Sequence, residues 1–260
     1  MWRSANPGFM LARMLYRAEA GRTLAISQPA HAWISGQLLR RLDVALSEPL
    51  LLAGEQHDIG WLDWECAPSF DAQARRPPSF REVGAVVHAP MWTAGVERAL
   101  SAWGPHVALL ISRHGGRIYR RFGLPGAGPA DTEAIQGYLA AQAPREVAWA
   151  AAAGLDDAEL ERQSALIAFV DALSLAVCGA LRLPANLDFP RASGTAGVRV
   201  AEAAPGDFRL DPWPFRDAAF DIEGQGRRLP SDGVFQDEAA MRAWLMTASW
   251  EAFSARLARA

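Results

Sequence analysis

The residues of this chain that are best suited to chemistry are histidines and aspartates. Four of the five histidines lie where predicted helices begin or end, and His57 is followed directly by Asp58. Neighbouring residues on a helix point about 100° apart, so this pair can coordinate one ion from two sides. The second carboxylate oxygen can then reach a second ion. In chain order, the candidate metal ligands are His31, His57, Asp58, His88, His114 and Asp171.

Asp171 gives the strongest argument for a metal. It lies in the segment ALIAFVDALSLAVCGAL, where every neighbour within two turns except Ser174 is apolar or small. Burial of an isolated carboxylate is very costly, so this group must be neutralised by a proton, an arginine or a metal ion. Imidazole and carboxylate ligands suit Zn, Fe or Mn. The series therefore predicts a divalent metal site, with an arginine partner for Asp171 as the alternative.

These residues and the motifs around them resemble the HD-domain superfamily of metal-dependent phosphohydrolases, and look closest to an uncharacterised bacterial branch of it. The resemblance covers roughly residues 28–182, through SQPAHAWISGQL, HDIGWLDWE, LISRHGG and FVDALSLAVC, and extends to PWPF at 212–215. It implies a first ion held by His31, His57, Asp58 and Asp171. It also implies that Asp58 bridges to a second ion held by His88 and His114.

One position departs from the pattern of many phosphodiesterases that carry HDIG. They have lysine two positions after the isoleucine, whereas this chain has Trp61 and no lysine at all. Arg113, next to His114, is the predicted replacement, because a guanidinium grips phosphate or carboxylate in a bidentate way. Candidate partners of the ligands, or general bases, are Asp63 and Glu65.

Three functions remain open for this ligand set. The first is a metal-dependent hydrolase in which a hydroxide activated by two ions attacks a phosphate ester or another small anionic substrate, with Asp58 and Arg113 as catalytic residues. The second is an oxygen-dependent oxidation with two irons, as some members of the superfamily perform. The third is a ligand-sensing module without catalysis, whose structural metal has a closed coordination shell.

Composition restricts the partners and the compartment. A formal net charge of −3 gives no strong field for nucleic acid or anionic lipid, so the expected partner is a small molecule. The one candidate membrane span, about 165–181, carries Asp171 near its centre, which costs about 3 kcal/mol in a bilayer. Cys66 and Cys178 lack framework spacing, and the first twenty residues do not resemble a signal peptide, so a cytoplasmic protein is expected.

The elements that must position these residues are mainly helical. Apolar residues spaced by three and four predict helices at about 31–46, 50–60, 90–103, 104–113, 131–142 and 156–182. Alternating segments predict a hairpin within 10–27 and short strands over 190–235, and a terminal helix is expected over 238–259. The expected fold is a single domain over 1–260 of the mainly α class, with an HD-domain-like helical core over 28–182 and a small β layer from both termini. Two loops that could cover a pocket are 71–82 and 123–131.

Overall fold

The computed structural model describes residues 14–19, 21–78, 82–123, 128–191, 194–231 and 233–260. About 53% of it is helix and 24% is strand, and seven strands form one curled mixed sheet. The predicted mainly α fold with a small β layer is therefore wrong. Each strand is a short segment of the sequence, and the size of the sheet becomes apparent only when segments far apart in the chain are paired.

Helices occur at each of the six places predicted before residue 183. The described helices are α1 (Gln28–Arg41), α2 (Glu48–Gln56), α3 (Leu62–Cys66), α4 (Ala85–Trp103), α5 (Pro105–Phe122), α6 (Pro129–Ala153), α7 (Asp157–Val177) and α8 (Glu238–Thr247). A 3-10 turn, Ile59–Trp61, connects α2 to α3. Among the described residues, no helix is long and apolar enough to cross a membrane.

The strands come from both ends of the described chain. They are β1 (Leu15–Glu19), β2 (Arg22–Ile26), β3 (Ala185–Arg191), β4 (Gly194–Ala204), β5 (Asp207–Asp211), β6 (Ala219–Arg228) and β7 (Trp250–Arg259). Their order in the sheet is β1-β2-β6-β7-β5-β4-β3, and only the β5–β7 pair is parallel among the pairs described. β1 and β2 form the predicted hairpin, whose residues 10–13 and 20 lie outside the described part.

The terminal helix predicted over 238–259 is wrong in its second half. Helix α8 ends at Thr247, and β7 follows with buried Phe253, Ala255 and Leu257 alternating with exposed residues. The alanines and arginines of this segment favour a helix intrinsically. Pairing with β6 on one side and β5 on the other outweighs that helical preference. β7 thereby joins two groups of three strands each.

The helices that carry ligands are fixed by caps and by packing against the sheet. The Ser27 side chain accepts a hydrogen bond from the Ala30 N–H at the start of α1, and Asp156 caps α7 in the same way through the Glu159 N–H. Apolar side chains of α1, α7 and the inner face of the sheet form one buried core. The apolar run of α7 is thus a core helix, as expected.

The two predicted loops differ in their relation to the helical core. Residues 71–78 lie against the segment before α8, where the Phe235 N–H donates to the Arg75 carbonyl. Gly123, at the start of the second loop, lines the large cavity described below. Residues 79–81 and 124–127 of these loops lie outside the described part.

Candidate metal centre

Five of the six predicted ligands meet at one point among the helices. His31 lies on α1, His57 and Asp58 at the end of α2, His114 on α5 and Asp171 on α7. The ligand atoms of His31, His57 and Asp171 all lie within 4.8 Å of one another, and so do those of His57, Asp58 and His114. The three histidines are at most 3% exposed. The fold thus brings together side chains from four elements, and their binding of a metal stays a prediction.

Hydrogen bonds orient the His31 ring with one nitrogen towards the cluster. Ser174 Oγ donates to the Asp171 carbonyl oxygen at 2.8 Å, so it accepts from His31 Nδ1 at 2.7 Å. His31 Nε2 is then left with its lone pair, yet it lies 2.7 Å from the carboxylate oxygen Oδ2 of Asp58. Two acceptors so close need a shared proton or a cation between them.

His57 points an unsatisfied atom into the same space. Its Nδ1 bonds the Gly54 carbonyl oxygen at 2.8 Å. Its Nε2 is buried without a hydrogen-bond partner among the described residues and lies 3.6 Å from both Asp58 Oδ2 and Asp171 Oδ1. A buried polar atom left without a partner is costly, so this geometry fits a bound ion that Nε2 would help to coordinate.

The charges of the cluster favour a cation. Burial opposes the charged form of His57, but Asp58 and Asp171 outweigh burial and raise the pKa of His57 to about 9. Burial likewise opposes the charge of Asp171, but the neighbouring His57, His114 and His31 lower the pKa of Asp171 to about 2. The two carboxylates thus retain a proton on His57, and a divalent ion would satisfy the same charges and displace it.

The partners of Asp171 are the histidines and not an arginine. Its Oδ1 lies 3.9 Å from His31 Nε2 and 3.6 Å from His57 Nε2, while its Oδ2 lies 3.9 Å from His114 Nε2. No arginine of the described chain lies within ion-pair distance of it. The arginine alternative for Asp171 therefore has no support among the described residues, and its two carboxylate oxygens face different histidines.

His88 lines the same cavity but stands apart from the five. It lies on α4, and its Nδ1 is 2.5 Å from the Tyr119 hydroxyl oxygen, over whose ring it stacks. Burial lowers the pKa of His88 to about 4, so the ring is neutral. The bond to Tyr119 leaves Nε2 for a ligand. His88 belongs to neither close group of ligand atoms, and its role at a second ion stays a prediction.

Arg113 does not line the large cavity beside the cluster, and its role as a substrate ligand stays a prediction. Its Nε donates to Ser164 Oγ at 3.2 Å, and its guanidinium pairs with Glu161 at 3.2 Å and Glu146 at 3.9 Å. Adjacent residues of a helix point about 100° apart. Because His114 faces the cluster, its neighbour Arg113 is turned towards α6 and α7.

Arg117 is the arginine that the sequence reasoning missed. It lies almost one turn after His114 and lines the cavity. Its Nη1 donates to Glu161 at 2.5 Å, and its Nε is buried without a hydrogen-bond partner. The signal that could have identified it is the spacing of three residues from His114, which places both on one helix face.

The turn that carries Asp58 packs against α4 through glycine. A Cβ atom added to Gly95 would lie 2.8 Å from the Gly60 backbone nitrogen, and one added to Gly60 would lie 2.5 Å from the Met91 carbonyl oxygen. The backbones can approach this closely only because neither residue has a side chain. The HDIG segment therefore packs directly against α4.

A cavity of about 1240 Å³ opens onto the cluster. His31, Asp58, His114 and Asp171 line its inner end. Trp61 and Trp92 line it beside them, and Trp64 packs edge-on against Trp61. The outer walls belong to α5, α7 and β3. Small molecules can therefore reach the ligand atoms directly.

Comparison with known proteins gives one family and no activity. A family model described as "Protein of unknown function (DUF3891)" matches residues 14–231. No curated protein and no solved structure matches the chain. Nothing in these comparisons links it to the HD-domain superfamily, and that resemblance stays a prediction.

Proposed function

The chain belongs to the DUF3891 family of unknown function, and we propose from its site that it is a metal-dependent hydrolase of a phosphate ester or another small anionic substrate. The observation that carries this proposal is the buried His57 Nε2, which has no hydrogen-bond partner among the described residues and lies among five candidate ligand side chains, four of which line a cavity. Catalytic metal sites keep such an open side, whereas structural sites are closed.

The residues present fit divalent ions. The three imidazoles would come from His31, His57 and His114, and the two carboxylates from Asp58 and Asp171, a donor set that suits Zn, Fe or Mn. Bound ions would polarise the substrate's phosphoryl group and lower the pKa of a water molecule so that it can attack at neutral pH.

The chain's own side chains would orient the reactants. Arg117 lines the cavity, so its guanidinium can bind an anionic oxygen of the substrate. Ser174 holds His31 in one orientation, and Tyr119 does the same for His88. Trp61 and Trp92 cover one side of the site with apolar surface and limit the access of bulk water.

Metal analysis tests this proposal most directly. Elemental mass spectrometry on protein purified without a metal-chelating column should find about two equivalents of zinc, manganese or a mixture. Hydrolysis of p-nitrophenyl phosphate should disappear on chelation and return with the metal. Iron together with an oxygen-sensitive visible absorption would favour the oxidation instead. Metal content near zero that added ions do not restore would overturn the proposal.

The proposed enzyme would act in a reducing compartment. Cys66 is exposed and Cys178 is buried, and both are free thiols. Exposed free thiols persist where glutathione and thioredoxin keep them reduced. These observations support a cytoplasmic location.

A further inference from the structure

We propose that the outer part of the cavity is an apolar subsite, and that the substrate is an amphiphile with one anionic head at the metal cluster and an apolar chain or ring along α7. This inference rests on the proposed function, because the head is the group on which the metal centre would act. It specifies the substrate class, which the ligand set alone leaves open.

One stripe of α7 carries both the metal carboxylate and the apolar wall. Ala165, Ala168, Ala172 and Leu175 line the cavity and are partly exposed, as Asp171 is, whereas the residues between them are mostly buried. The helical rise places Ala165 about 9 Å along the axis from Asp171. A molecule longer than its head group must therefore lie against this row of methyl groups.

The walls from α5 and β3 contribute apolar side chains between their charged and polar ones. Ile118 and Phe122 of α5 line the cavity opposite α7, and Leu187 and Pro190 contribute from β3. A polar substrate body would lose its hydrogen bonds to water here without replacement. An apolar body gains from every methylene that it removes from water.

The charged groups at the rim neutralise one another. Arg121 pairs with Asp188 at 2.9 Å, and Arg162 pairs with Glu159 at 2.7 Å. Over the whole described lining, four arginines face four carboxylates, apart from Asp58 and Asp171 of the cluster. The rim thus carries no net charge for a second anionic group, which leaves the cluster as the place for the head.

Binding of an alkyl phosphate series tests the subsite. Isothermal titration of the metal-loaded protein with methyl, butyl, hexyl and octyl phosphate should show a Kd that falls about two- to fourfold per added methylene. Ala168→Phe fills the stripe and should abolish this dependence without weakening methyl phosphate. Ala140→Phe, on the exposed face of α6 and outside the lining, is the matched control and should preserve the dependence.

The outcomes separate this inference from the proposed hydrolase. Equal affinity for methyl and octyl phosphate in the wild type, or a dependence that persists in Ala168→Phe, overturns the subsite. If p-nitrophenyl phosphate is still hydrolysed in that case, the hydrolase stands alone. If binding depends on chain length but no phosphate ester is hydrolysed by the metal-loaded protein, the subsite stands and the hydrolase is contradicted.

Discussion

At the scale of single residues, the carboxylate of Asp58 gives the most direct test of the cluster. Asp58→Ala should remove at least half of the bound metal and abolish turnover, because Asp58 contacts both His31 and His57. Elemental mass spectrometry beside a phosphatase assay measures both effects. Asp63→Ala is the matched control, since Asp63 is 73% exposed and, among the described residues, forms its ion pair with Arg98 alone. Full metal content in Asp58→Ala would refute its bridging role.

The two arginines of α5 give a second test at this scale. Arg117→Ala should raise the KM for a phosphate ester about 10- to 100-fold, because it removes a charge-assisted hydrogen bond of about 1.5–3 kcal/mol. Arg113→Ala should leave the kinetics nearly unchanged, because its partners are Ser164, Glu161 and Glu146. Steady-state kinetics of the two variants measure this difference. A raised KM in Arg113→Ala with an unchanged KM in Arg117→Ala would instead identify Arg113 as the substrate ligand.

Glu65 links stability to pH. Burial raises the pKa of Glu65 from 4.5 to about 7, despite the hydrogen bond from the Gln28 N–H and the charge of Arg227. Because the folded state binds this proton more tightly, the stability contribution is complete below pH 4.5 and is lost as pH rises to about 7. The loss amounts to about 3 kcal/mol.

Glu65→Gln removes this titration while keeping an acceptor oxygen for Gln28. Denaturant unfolding of the metal-free protein at pH 5 and pH 8 should show a decrease in stability that is about 2–3 kcal/mol larger in the wild type than in the variant. Since both proteins contain the same histidine cluster, its titration cancels in the comparison. An equal decrease in both would contradict the assignment to Glu65.

The sequence could predict which side chains meet better than what surrounds them. Residue types and order were enough to identify five side chains that lie together, because an aspartate in an apolar helix and separated histidines restrict the chemistry. Which face of α5 meets the cavity depends on packing against α4 and α7, so the three-residue spacing between His114 and Arg117 was the one local signal that favoured Arg117 over Arg113. The orienting role of Tyr119 likewise exists only in three dimensions.

At the scale of elements, the contact between the HDIG turn and α4 can be tested by substituting its glycine on α4. Gly95→Ala should destabilise the protein and weaken metal binding, because the added Cβ would lie 2.8 Å from the Gly60 nitrogen. Gly137→Ala on α6 meets nothing within 4 Å and should stabilise the protein by about 0.5–1 kcal/mol. Unfolding midpoints compare the two, and equal stabilisation by both would contradict the close approach.

Elements with local signals were predicted, and those that depend on distant partners were not. The apolar periodicity of α1 and α7 is visible within each segment, and the capping residues mark where each helix begins. The segment 250–259 has a composition that suits a helix, and its strand form depends on β5 and β6. The same reason explains why the sheet was expected to be a small layer.

At the scale of the whole molecule, the centre connects four elements that lie far apart in the chain. Metal that binds only the folded state should raise the unfolding free energy by about 4 kcal/mol at a concentration 1,000-fold above its Kd. Thermal unfolding with and without chelator measures this shift. Asp58→Ala should show little of it, and an equal shift in that variant would mean that the ions bind elsewhere.

The position of β7 has a consequence for how the protein is made. β1, β2 and β6 form one group of strands, and β3, β4 and β5 form another, and β7 follows all six in the chain while lying between the groups. On the ribosome, the facing edges of β5 and β6 stay open until β7 has left the exit tunnel. Open edges of this kind recruit other chains. A nascent chain that has not yet added β7 therefore presents two open strand edges with which other chains can pair.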